Sequence, residues 1–88
     1  MYHVYILYSR SSDTYYTGYT SLKPEKRLER HNEGWSRSTK HGIPWELKHT
    51  EPFESKSEAI KRENHIKRQK SRKYIEELIA KGNNKTYR

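Results

Sequence analysis

Two tyrosine-bearing strings near the N-terminus constrain this chain more than any other feature. They are His3-Val4-Tyr5-Ile6-Leu7 and Tyr15-Tyr16-Thr17-Gly18-Tyr19. β-Branched and aromatic residues crowd both, which marks strands. Between them lies the polar, turn-forming run Ser9-Arg10-Ser11-Ser12-Asp13. Two strands joined by so short a link form an antiparallel hairpin. Any fold for this chain is built around that hairpin.

The rest of the chain predicts one more strand and three helices. Pro24 suits the first turn of a helix, where its missing N–H costs nothing. That helix runs to about Asn32, and Gly34 stops it. Residues 35–42 are polar and basic and read as a loop. Ile43 to His49 reads as a short third strand, with Pro44 at its beginning or on an edge. Ser55 and Glu58 have capping-box spacing, which starts a helix that continues to about Gln69. Ser71 can cap a last helix, with Tyr74, Ile75, Leu78 and Ile79 on one face and Gly82 as terminator. Residues 83–88 read as a flexible tail, so residues 1–82 form a single domain. The predicted fold is α/β of the α+β type: a three-stranded, mainly antiparallel sheet flanked by about three helices. The third strand must join the hairpin's sheet, because nothing else would satisfy its backbone groups.

Composition narrows the function. A chain of 88 residues hides only about 60% of its unfolded surface, so its core is thin. Apolar residues are 30% and charged residues 34% of the chain. Eight tyrosines and two tryptophans compensate in part, because each large ring removes much apolar area from water. Lys and Arg number 19 against 11 Asp and Glu, a net charge of +8. Such an excess points to a polyanionic partner, most simply nucleic acid. A basic surface kept for solubility is the alternative. The chain has no cysteine, which excludes disulfides and cysteine-ligated metal centres and fits a reducing, cytoplasmic compartment. The longest apolar run, Val4 to Tyr8, is too short to span a bilayer. No signal-peptide pattern opens the sequence. The five histidines (3, 31, 41, 49 and 65) lack the spacing of a zinc site.

Several residues look misplaced for packing alone. Side chains alternate along a strand, so Tyr5 faces away from Val4 and Ile6. Tyr16 shares a face with Gly18, and a glycine within a strand often marks close approach by a ligand or another backbone. Arg27 and His31 are four apart and share a helix face. An arginine fork there suits a phosphate, although a solvated helix face would look similar. Glu63 stands among Ala59, Ile60 and Ile66, at the centre of an apolar stripe. A carboxylate facing a sheet must be paired or bound to a cation. A hard divalent metal is one solution; a salt bridge to Arg27 or a neighbouring lysine is the other. Residues 56–73 carry eight Lys and Arg against two Glu. From this run Arg62, Lys67, Arg68 and Lys70, and from the basic loop Arg37 and Lys40, are candidates to bind nucleic-acid phosphates.

Taken together these residues resemble the GIY-YIG nuclease superfamily, most closely its small stand-alone bacterial members. The first motif matches His3-Val4-Tyr5 and the second Tyr16-Thr17-Gly18. The arginine after the second strand matches Arg27, followed by His31, and the helical glutamate matches Glu63. His3, Val4 and Thr17 depart from the letters of the motifs, but both tyrosines stand. The resemblance spans residues 2 to 80 and implies a metal-dependent DNA endonuclease of repair or recombination, acting on branched or damaged DNA. It implies that Glu63 holds one Mg²⁺ or Mn²⁺ and that Arg27 clamps a phosphate oxygen. It gives Tyr5 or Tyr16 the attacking water and makes His31 a second proton carrier. DNA is the implied partner, with no small-molecule cofactor and no membrane, and with room for a protein partner. The rival reading is a non-catalytic nucleic-acid-binding module on the same fold. A small ribosome-associated basic protein is a third.

Overall fold

The computed structural model describes the backbone of residues 1–85 and the side chains of residues 1–82. Strands β1 (Tyr2–Ser9) and β2 (Thr14–Thr20) form the hairpin, and β3 (Trp45–Phe53) completes the sheet. The sheet order is β2-β1-β3, with both pairings antiparallel. Helix α1 (Pro24–Asn32) and a 3-10 helix (Arg37–Gly42) separate β2 from β3. Helices α2 (Lys56–Gln69) and α3 (Arg72–Lys85) follow. No helix of the described residues is long and apolar enough to cross a membrane.

Strand alternation divides the core in two. Val4 packs with Ala59 and Ile66 of α2, and Tyr74, Ile75 and Leu78 of α3 close over them. Tyr5 and Leu7 point the other way, to Trp45, Tyr16 and Leu28 of α1. The central strand β1 therefore serves both layers, and Val4 through Leu7 are at most 1% exposed. The helix starts follow local chemistry. Ser55 caps α2 by accepting from the Glu58 N–H at 3.2 Å, and Ser71 accepts from the Tyr74 N–H at 3.1 Å.

Three boundaries differ from the sequence expectation. The loop expected over residues 35–42 contains the 3-10 helix, tied down by the Trp45 indole N–H donating to the Thr39 carbonyl at 2.7 Å. The third strand starts at Trp45 rather than Ile43 and runs to Phe53 rather than His49. Asn32 fixes that start by accepting from the Trp45 N–H at 2.6 Å and donating to its carbonyl at 3.1 Å. The strand continues through Pro52 because β3 is an edge, where a missing N–H is tolerated. The last helix continues past Gly82 to Lys85. Gly82 is there for close packing: a Cβ on it would lie 2.8 Å from His49 Nδ1. The expected tail therefore begins in helix, and residues 86–88 lie outside the described residues.

Candidate active site

Tyr5 lies opposite Gly18 in the hairpin register, and Leu7 lies opposite Tyr16. Any side chain at position 18 would press on the Tyr5 phenol, since a Cβ there would sit 2.6 Å from its hydroxyl oxygen. The close approach that Gly18 permits is thus by Tyr5 itself. The Tyr5 hydroxyl is 2.8 Å from His31 Nε2. His31 Nδ1 is 2.9 Å from Thr39 Oγ1, and Thr39 Oγ1 donates to the Ser36 carbonyl at 3.2 Å.

These contacts have one consistent direction. The Ser36 carbonyl can only accept, so the Thr39 proton is committed to it. Thr39 Oγ1 must then accept from His31 Nδ1–H, and His31 Nε2 carries a lone pair. Tyr5 therefore donates to His31. His31 is fully buried. Burial, with help from Arg27, drives its pKa down from 6.5 to about 4, so it is a neutral acceptor at pH 7. Burial also pushes the Tyr5 phenol up to about 12; Tyr16 adds to this and Arg27 opposes it. In the protein alone Tyr5 thus lacks the depressed pKa that a base would need.

Around this chain the structure gathers the other residues singled out in the sequence. The Tyr16 ring lies 6.3 Å from the Tyr5 ring and 5.3 Å from His31. Arg27 is anchored by donating from Nη2 to Ser36 Oγ at 3.2 Å, and its charge bears on both Tyr5 and His31. Glu63 stands on α2, near enough for its charge to act on Tyr5. Its side chain is 13% exposed, and its carboxylate pairs with Lys67 at 3.3 Å. Lys67 in turn stands 5.9 Å from the Tyr16 ring centroid. The neighbouring-lysine alternative for Glu63 is therefore realised.

The other basic candidates separate into groups. Lys67 and Lys70 line a cleft beside Tyr16, with Tyr15 and Ser71. Arg37 and Lys40 are exposed on the 3-10 helix. Arg62 is held by Glu51, at 2.7 and 3.1 Å. It shares with Arg68 a second concavity, lined also by Phe53 and His65. Sequence reasoning missed Ser36 and Thr39, because hydroxyl residues in a polar stretch carry no burial signal. It also missed Asn32, whose partner lies 13 residues away.

Among the described residues no group of three or more His, Cys, Asp and Glu side chains is placed to hold a metal ion. A single carboxylate on a mostly buried side chain still fits Mg²⁺, which keeps several waters and often takes only one or two carboxylates plus substrate phosphates. Glu63 is that carboxylate.

The chain matches the GIY-YIG catalytic domain family over residues 1–75. It is 47% identical over 68 residues to a UPF0213 protein of Halobacterium salinarum, covering 76% of this chain and 86% of the relative. It is 44% identical over 79 residues to one of Natronomonas pharaonis, covering 89% of each. A third, from Staphylococcus saprophyticus, is 42% identical over 79 residues, covering 85% of this chain and 94% of the relative. No solved structure gives a significant match.

Proposed function

We propose that this chain, which belongs to the GIY-YIG family, is a divalent-metal-dependent endonuclease that hydrolyses DNA phosphodiesters. The observation that carries this reading is the one-way hydrogen-bond chain from Tyr5 through His31 and Thr39 to Ser36. A phenol at a pKa of about 12 would hold a captured proton but has first to lose its own. His31 Nε2, 2.8 Å away, takes that proton. As the Tyr5 oxygen accepts a proton from water, Tyr5 gives its own to His31. The products are a hydroxide for attack on phosphorus and a transient imidazolium, which passes its proton back through Tyr5 to the leaving 3′-oxygen, or to solvent, and so restores the starting state. Tyr16, whose ring lies 6.3 Å from Tyr5 and 5.3 Å from His31, orients the water. Arg27, held in place by Ser36, donates to a non-bridging oxygen, where charge grows in the transition state.

Glu63 would hold the Mg²⁺ or Mn²⁺ ion, which when bound neutralises the scissile phosphate and the leaving 3′-oxygen. Lys67 is half exposed and can leave Glu63 for a substrate phosphate. Lys70, Arg37 and Lys40 add phosphate contacts on the flanks. Branched or damaged DNA, as met in repair or recombination, is the substrate class of this reading. Its support is the family's nuclease chemistry and the charge of +8. A cytoplasmic setting accords with the lack of cysteine.

The Glu63–Lys67 ion pair favours the alternative of a binding module, since the carboxylate is already neutralised within the protein. Cleavage of labelled duplex, flap and junction DNAs with Mg²⁺ or Mn²⁺ separates the two. An endonuclease cuts at least one of them, stops in EDTA, and loses about 10²–10⁴-fold in rate on Tyr5→Phe. Salt-sensitive binding of all three with no cutting establishes the binding module instead.

A further inference from the structure

One side chain beside this cluster has no part in the chemistry above. Trp35 is 64% exposed, whereas the other tryptophan, Trp45, is 4% exposed. Trp35 is nevertheless held in place. Gly34 ends α1 at φ 85°. Its N–H donates to the His31 carbonyl at 3.1 Å, and the Trp35 N–H donates to the Arg30 carbonyl at 3.1 Å. These two bonds are the Schellman closure of a helix, which folds the residue after the glycine back over the last turn. The side chains follow the backbone, and the Arg30 guanidinium carbon lies 4.4 Å from the Trp35 ring centroid.

A leucine would provide the apolar contact that such a closure uses. A tryptophan lying on an arginine, with most of its surface in water, adds an oriented π face and a charge beneath it. Its position gives that face a use. The next residue, Ser36, accepts the Arg27 hydrogen bond at its hydroxyl and the Thr39 hydrogen bond at its carbonyl. Trp35 is therefore one residue from the point where the arginine and the histidine chain meet. Every charged residue from 34 to 44 is cationic. The exposed large hydrophobic residues of the described chain are Trp35 and Met1, too few for the core of a protein interface of about 800 Å² per partner.

We infer that Trp35, oriented by Arg30, is a stacking platform for one unpaired nucleobase of the substrate strand. The inference rests on the nucleic-acid reading above and deepens it. A base inside a continuous duplex has both faces covered by its neighbours. A base freed at a flap or junction can lay one face on the ring, whatever its identity, because every base has a π face. The platform thus selects DNA containing unpaired bases next to the cleavage cluster.

Binding tests this without requiring cleavage. Anisotropy of a fluorescein-labelled flap DNA and of the matching blunt duplex is measured in EDTA, with tryptophan emission followed in parallel. Trp45 is buried and hydrogen-bonded to Thr39; its share of the emission change is read from Trp35→Ala, and the difference reports on Trp35. The flap should quench that emission more than the duplex does. Trp35→Ala should lower the flap-over-duplex affinity ratio by about tenfold. Trp35→Phe should lower it less, and Trp35→Leu, which keeps the helix closure, should match alanine. An unchanged ratio in all three variants, with DNA still bound, overturns the platform and leaves the nuclease reading standing. A Leu variant that performs as well as Phe assigns Trp35 to helix closure and also overturns it. A parent protein that binds neither DNA at low salt overturns both.

Discussion

Gly18 shows how one missing side chain shapes the site. Its cross-strand partner is Tyr5, and a Cβ would lie 2.6 Å from the phenol oxygen and 2.8 Å from the ring carbon that bears it. Gly18→Ala should therefore destabilise the protein by about 1–3 kcal/mol through overpacking. Tyr5→Phe removes the nearer atom, so the double variant should recover part of that loss. Denaturant unfolding of the four proteins gives the coupling, and strict additivity would refute the clash. His31 makes a separate prediction through pH. Its folded pKa of about 4 lies below its ordinary 6.5, so the unfolded chain binds the proton first. The His31 contribution is complete above pH 6.5, falls as pH drops toward 4, and levels off below that. Thermal unfolding of His31→Gln should lack this 6.5-to-4 slope. A slope equal to the parent's would show that His31 titrates normally.

At the scale of elements, most of the fold was legible because local chemistry agreed with tertiary need. Pro24, Ser55 and Ser71 mark helix starts through backbone groups nearby in sequence; the Ser55 hydroxyl accepts from the Glu58 N–H as spaced and donates to the Glu58 carboxylate. Gly82 was misleading for the opposite reason. A glycine near a helix end has the same sequence signature whether it terminates the helix or lets it approach a strand. Here the approach is to His49, whose Nε2 is bound to Glu51 at 2.8 Å. Glu51 also accepts both hydrogen bonds from Arg62, so the histidine is not free to swing away. Gly82→Ala would ordinarily stabilise a helix by up to about 1 kcal/mol. In this protein it should lower the unfolding midpoint, and a rise would mean that His49 yields easily. The candidate site was legible in part. Tyr5, Tyr16, Arg27, His31 and Glu63 stand out by spacing and by face. Ser36 and Thr39 do not, because their roles come from the path of the chain between α1 and β3.

At the scale of the molecule, the sheet brings the groups together. Strand β1 is central and faces both layers, so Tyr5 meets α1 through His31 while remaining within the field of Glu63 on α2. The extents of 32 × 27 × 26 Å match about one turn of duplex DNA, which limits the protein to a short footprint. The charge of +8 supplies attraction to any nucleic acid, and chemistry depends on the cluster. Glu63 is the residue on which the endonuclease and binding readings disagree most. The most direct test is nicking of a labelled flap DNA in Mg²⁺ by the parent and by Glu63→Gln, at matched concentration and matched DNA affinity. The parent should cut, and the glutamine variant should give only background. Equal cutting by the two proteins would contradict the endonuclease reading.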